Sequence, residues 1–183
     1  VDLSFEDRYT DLVANGIDVA LRLGKLADSS LGARMLGVNP WVLVASPSYL
    51  RKHGTPRRPS DLKEHSALIY SSVQGNDIWR LRNASGEPVS VPVTGRLRSN
   101  NLSALLAAAR SHMGVAALPR YVAHESLKDG RVVEVLKTCR LPEQEIHAVY
   151  PSPRLVPQKV QSFIAFFFFS FDAAWWENLP HGG

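Results

Sequence analysis

Any chemistry in this 183-residue chain has to be built from six histidines, one cysteine, and the hydroxyl, amide and guanidinium groups near the ends of its apolar runs. The sequence contains no G-x-S-x-G elbow, H-E-x-x-H pair, P-loop or G-x-G-x-x-G. The histidines are dispersed. His53, His65 and His124 fall in turns or at helix ends, where solvated surface is expected. His147 alternates with Ile146 and Ala148, as an outward-facing or locally hydrogen-bonded strand residue does. Cys139 stands beside Arg140, a neighbour that favours thiolate. As a lone thiol it makes neither an intrachain disulfide nor a cysteine-based metal site. Acid–base catalysis needs paired groups whose pKa values are driven apart, and no spacing here supplies such a pair. The expectation is a protein that is not an enzyme, with no catalytic residue, metal or cofactor.

Binding is the better use of these residues. In open α/β sheets, ligands sit beyond the carboxyl ends of the strands. The corresponding positions are Arg22 to Gly24, Ser71–Ser72, Ser99–Asn100–Asn101, and Val115 to Pro119, of which Val115 and Ala116 are the expected contacts. They offer hydroxyls, amides, a guanidinium and helix N-terminal N–H groups, which suit a small anion such as a carboxylate. Plain helix capping would equally account for Ser99 and Asn100, and a lobe-bridging salt bridge for Arg22.

The elements that must hold these positions centre on Ser99 to Leu136. Ser99 or Asn100 can cap a helix in which Leu102, Leu105, Leu106 and Ala109 recur at helical spacing. Ser111 to Gly114 breaks it. Val115 to Leu118 is short, small and apolar, as a buried strand is. Pro119 suits the first turn of a second helix, Asp129–Gly130 a turn, and Val132 to Leu136 another strand. This alternation is the grammar of an α/β layer.

Upstream, Val1 to Phe5 alternates as a strand, Asp7 can cap a short helix over 8–14 with Tyr9, Leu12 and Val13 inward, and Asn15–Gly16 ends it. Ile17 to Gly24 follows as a strand, so a parallel crossover is expected. Arg34–Leu36 and Trp41–Ala45 read as a strand pair or one long bent strand around Asn39–Pro40. A short helix begins at Ser46–Pro47, a second at Ser60, and Ala67–Tyr70 is a strand. Ile78–Leu81 and Val89–Val93 make a hairpin. Glu145–Tyr150 is a strand. The last helix starts at Val156–Pro157 with Val160, Phe163, Ile164, Phe167 and Phe168 inward, and Asp172–Gly183 reads as a tail.

Composition sets limits. The chain is 45% hydrophobic and 21% charged, ordinary for a globular protein. Its net charge of +4 is scattered, the densest basic run being Arg57–Arg58, which gives little basis for nucleic-acid contact by this chain itself. The opening VDLSFEDRYTDLV lacks the basic and apolar regions of a signal peptide. Phe163 to Phe171 is too short to span a bilayer as a helix, so no membrane partner is expected. The single cysteine fits a cytoplasmic location, and equally a disulfide-free periplasmic protein.

Four blocks carry a resemblance: EDRYTDLVANGIDVALRLGKLADSSLGARMLG, ASPSYLRKHGTPRRPSDLKEHSALIY, the cap–helix–Gly–strand–LP–helix unit from Ser99, and VVEVL. Together they resemble the effector-binding domain of LysR-type transcriptional regulators from about Val1 to Phe169. That family commonly has two glycines flanking one residue in the break after the central helix. Here the first is His112, and only Gly114 remains.

The resemblance implies an α/β, two-lobed periplasmic-binding-protein-like (type 2) fold, with Rossmann-like lobes joined by two crossover strands. Lobe I would comprise 1–45 and 145–183, incomplete at its start because the chain opens at what resembles the second strand. Lobe II would comprise 46–144. The implied function is sensing of a small-molecule effector in the inter-lobe cleft, with DNA reached only through an N-terminal helix-turn-helix domain not contained in these residues. The rival readings are a transporter's solute-binding protein and a small α/β enzyme. A homodimer or higher homo-oligomer is expected, because the family pairs the helix matching Asn101–Ala109 against a helix that is missing here. That would leave Leu102, Leu105, Leu106 and Ala109 exposed, unless they face the chain's own sheet.

Overall fold

A computed structural model describes residues 2–4, 10–26, 29–71, 77–154, 156–171 and 175–177. The chain divides into two compact units, Val1–Val38 with Gln144–Trp175, and Asn39–Glu143 with Trp176–Gly183.

The first unit is built on a three-stranded sheet in the order β1 (Ala20–Leu23), β10 (Gln144–Tyr150), β2 (Gly32–Asn39). β1 runs antiparallel to β10, with Arg22 opposite His147. Ile146, Ala148 and Val149 of β10 are buried, as are Val160 and Ile164 of α4 (Gln158–Ser170). The expected strand–helix–strand crossover at the start does not form among the described residues. Asp2 to Ser4 are not in a strand, and 12–16 is a turn rather than a helix. The Asp11 carboxylate accepts from the Val13 and Ala14 backbone N–H groups, and the chain closes with Gly16 at φ +62°. The Gly16 N–H donates to Val13 and the Ile17 N–H to Leu12, the bond pair of a helix C-terminus on a single turn. Leu12 is buried and Val13 exposed. Val1, Phe5, Asp7 and Tyr9 lie outside the described residues.

On α4, Phe168 is exposed rather than inward, with the Arg34 guanidinium 4.8 Å from its ring centre. Trp175 is not in a loose tail. It is buried, its indole N–H donates to the Val38 carbonyl at 2.9 Å, and its ring meets Phe171 edge-on.

The second unit holds a five-stranded sheet, ordered β7 (Thr94–Ser99), β4 (Ser66–Tyr70), β8 (Val115–Pro119), β3 (Trp41–Ala45), β9 (Val133–Val135). β7, β4 and β8 are parallel neighbours, while β3 is antiparallel to both β8 and β9. β2 and β3 are consecutive but lie in different sheets, so the stretch around Pro40 is neither a strand pair nor one ladder. β3 belongs with the second unit's sheet, and the division falls at 38/39 and 143/144 rather than 45/46 and 144/145.

Both faces of this sheet are covered, which explains the unbroken apolar runs WVLVA and VAAL. Trp41, Leu43 and Ala45 point to one face, joined by Ile69, Val115 and Ala117, and are packed by Tyr49 and Leu50 of α1 (Pro47–His53). The hairpin of β5 (Ile78–Arg82) and β6 (Pro88–Pro92) adds Trp79, Leu81 and Val91 to that layer. Val42 and Val44 point to the other face, with Leu68, Ala116 and Leu118. There α2 (Leu102–Arg110) contributes Leu105, Ala108 and Ala109, and α3 (Arg120–Lys128) contributes Ala123. Leu105 and Ala109 are completely buried, so the apolar face of α2 lies on the chain's own sheet and is not left uncovered.

β7 is an element the sequence pattern does not reveal. GRLRS has one large apolar residue and reads as a polar linker, yet it pairs in parallel with β4.

Candidate functional site

The parallel order of β4 and β7 brings Ser71 and Ser99 to one edge of the second unit. Tyr70 is opposite Ser99 in register, and the Ser71 N–H donates to the Ser99 carbonyl at 3.0 Å. The chain then turns directly into α2. The cap is Asn101, not Ser99 or Asn100: its side-chain oxygen accepts the Ala104 N–H at 3.0 Å, while the Ser99 Oγ accepts the Asn101 N–H, also at 3.0 Å. Neither of these bonds uses the Ser99 hydroxyl hydrogen or the Asn101 amide hydrogens. Asn100 is exposed on the same turn. Ser72 lies outside the described residues.

Val115 and Ala116 are not part of this edge. β8 runs parallel to β4, with Val115 opposite Ala67 and Ala116 opposite Leu68, so both begin at the far end of the sheet. Both are fully buried in core clusters. The end of β8 that shares the edge is Pro119, beside Trp41.

Two tyrosines missed in the sequence reading do belong here. Tyr70 ends β4 immediately before Ser71 and lies 5.9 Å, ring to ring, from Trp41. Burial raises the pKa of the Tyr121 phenol, and the charge of Tyr70 adds to the rise. Tyr121 thus stays a neutral O–H at neutral pH. Strand-end logic extended by one residue would have found Tyr70.

Arg22 and Gly24 belong to the first unit. The Arg22 Nη2 donates to the Thr10 carbonyl at 3.0 Å. It lines a cavity of about 460 Å³ with Thr10, Asp11, Ser30 and Leu31. Gly24 donates its N–H to Glu145 and adopts φ +98°.

The histidines divide differently from expectation. His65 is buried, not solvated. The Tyr49 oxygen accepts the Ser66 N–H at 3.0 Å and shares a hydrogen bond with the His65 Nδ1, 3.2 Å away. Burial lowers the pKa of His65 below 6.5, and the nearby His53 adds to this, while Asp61 and Glu64 oppose it. The unfolded chain therefore takes up this proton before the folded one does. Stability from neutral His65 should be fully present above pH 6.5 and lost as pH falls below it. Urea midpoints measured from neutral to mildly acid pH should fall in the parent and fall less in His65→Gln. Equal slopes would remove His65 as the cause.

The nearest approach to a nucleophile–base pair is Ser46 with His112, Oγ to Nδ1 2.7 Å. Ser46 is fully buried and its Oγ caps α1 through the Tyr49 N–H, so it is a structural hydroxyl. The same contact holds His112 at φ +62°, the conformation a glycine would take. The His112 N–H reaches Ala109 and the Met113 N–H reaches Ala108, closing α2 in the manner of a helix C-terminus. Among the described residues no group of three His, Cys, Asp or Glu could hold a metal ion. No helix of the described residues is long and apolar enough to cross a membrane.

An α/β chain of two units, with hydrogen-bonding groups collected at a strand-end edge, fits the binding folds. The model of the LysR substrate-binding domain matches residues 1–168, and the chain belongs to this family, whose fold is the two-lobed periplasmic-binding-protein-like type. It is 33% identical over 160 residues to an HTH-type transcriptional regulator of Haemophilus influenzae, covering 87% of this chain and 55% of the relative. It is 33% identical over 154 residues to the activator AaeR of Escherichia coli K12, covering 84% and 50%. The full-length virulence activator AphB of Vibrio cholerae superposes with a TM-score of 0.78 at 31% identity, over 92% of this chain and 57% of that one. The AphB regulatory domain of Vibrio vulnificus gives 0.72 at 29% identity, over 93% and 81%. These relatives are transcriptional regulators, not enzymes. The chain spans about half the length of the curated relatives it matches.

Proposed function

We propose that this chain is the effector-sensing part of a cytoplasmic LysR-type regulator and that it binds a small organic anion. The edge formed by Ser71, Ser99, Asn100, Asn101 and the start of α2 would hold the anion. The observation that carries this reading is the meeting of two parallel strand ends with a helix N-terminus at one edge, where hydroxyl and amide groups collect. Sequence-specific DNA contact belongs, on this reading, to the half of the relatives that this chain does not span. The regulator works as a homodimer or larger homo-oligomer. The effector acts only through its differential affinity for two arrangements of the protein.

A thermal-shift screen of aliphatic and aromatic carboxylates tests the reading. A bound effector at a hundred times its Kd stabilises by about 2.7 kcal/mol. Ser99→Ala should weaken that shift. If Ser99→Ala leaves a genuine carboxylate shift unchanged, the assignment to this edge fails.

A further inference from the structure

The opposite end of the second unit's sheet, where β3 finishes and β8 begins, carries a different kind of cavity. It encloses about 610 Å³ and is lined by Arg51, Arg110, Arg131, His112 and the hydroxyl residues Ser48 and Ser111, with no acidic side chain in its wall. Three guanidinium groups thus share one wall with no carboxylate among its lining residues. Of the three, only Arg131 has an acidic partner, Asp129 at 2.5 Å. Neither Arg51 nor Arg110 makes an ion pair among the described residues.

Helix ends do not account for this surplus. Arg110 sits in the last turn of α2, where a cation offsets the exposed carbonyls. Arg51 occupies the same position on α1, yet its Nη2 turns back to the Ser48 Oγ at 2.7 Å, away from the carbonyl end and toward the cavity wall. His112 is pinned there by the bond to Ser46, which occupies Nδ1 and leaves Nε2.

We propose that this cavity binds a small, multiply charged oxyanion of the phosphoryl class. Guanidinium forks match the paired oxygens of a phosphoryl group, and two of them neutralise its two charges. Ser48, Ser111 and His112 supply further donors at the wall. The site lies at the other end of the sheet from the carboxylate edge and does not depend on it.

Inorganic phosphate and methyl phosphate, each titrated at constant ionic strength against chloride, test the proposal. Both should raise the Tm of the intact chain saturably, and the Arg110 and His112 side-chain NMR signals should move over the same concentration range. Arg110→Ala should weaken the apparent affinity at least tenfold, and Arg110→Lys should restore part of it. Response to the monoester alone would assign a phosphorylated metabolite as ligand, and equal response the phosphoryl group itself. If chloride raises the Tm equally, or if Arg51→Ala/Arg110→Ala responds like the parent, the cavity is only a solvated basic patch. Unmoved Arg110 and His112 signals in the parent would overturn the proposal independently of any variant.

Discussion

Leu105→Glu should unfold the second unit rather than detach it from a partner. Leu105 is completely buried between α2 and the sheet, among Val42, Val44, Leu68, Ala116 and Leu118. A carboxylate there has no cation to meet and must either stay charged in an apolar layer or take up a proton at a cost. Together with the lost leucine packing, the expected loss is roughly 4 kcal/mol or more, at the extreme of single substitutions. Domains of this size are stable by only about 5–15 kcal/mol. Circular dichroism melting and light scattering should report a largely unfolded or aggregated protein. A folded monomer of unchanged Tm would instead place this helix face at an interface, as the family resemblance alone implied.

Gly114→Ala should cost about 3 kcal/mol, the upper range for overpacking. A β carbon on Gly114 would stand inside the contact distance of the Ser66 carbonyl oxygen and 3.0 Å from its carbonyl carbon. The obstacle is backbone, fixed by the pairing of β4 with β8 that starts one residue on, at Ala67 and Val115. No side-chain rotation relieves it. The measurement is the urea unfolding midpoint of Gly114→Ala against the parent. A loss below about 0.5 kcal/mol, ordinary for a surface change, would mean that the strands separate freely here. The same close approach explains why Gly114 persists in this break while its neighbour glycine is replaced. His112 needs only a left-handed φ, which its bond to Ser46 helps to hold, but Gly114 needs the absence of any side chain.

These two positions also mark what the sequence revealed and what it withheld. The α2–β8–α3 unit was legible because the helical spacing of Leu102, Leu105 and Ala109, the apolar VAAL run and the Asp129–Gly130 turn all point the same way. The exposure of the α2 face was not, because helical periodicity names an apolar stripe without saying what covers it. β7 was hidden because a strand pairing along one edge with a polar exterior carries little apolar signal. The edge proposed as the site was half legible. That Ser71, Ser99, Asn100 and Asn101 stand together follows from strand ends and caps, which are local features. Val115 and Ala116 were misplaced because strand direction decides which end of VAAL meets the edge, and direction comes from pairing with β4, 48 residues earlier in register (Val115 to Ala67). His65 was misread as surface because its burial depends on Tyr49, 16 residues away.

The central claim is that an organic anion binds at the edge made by β4, β7 and the start of α2. The most direct test is the 15N–1H spectrum of the chain titrated with the best carboxylate from the thermal screen. The account predicts saturable shifts of the backbone signals of Ser71, Ser99, Asn100, Asn101 and Leu102, with those of Val115 and Ala116 little changed. Saturable shifts confined to other residues, with these five signals still, would contradict it.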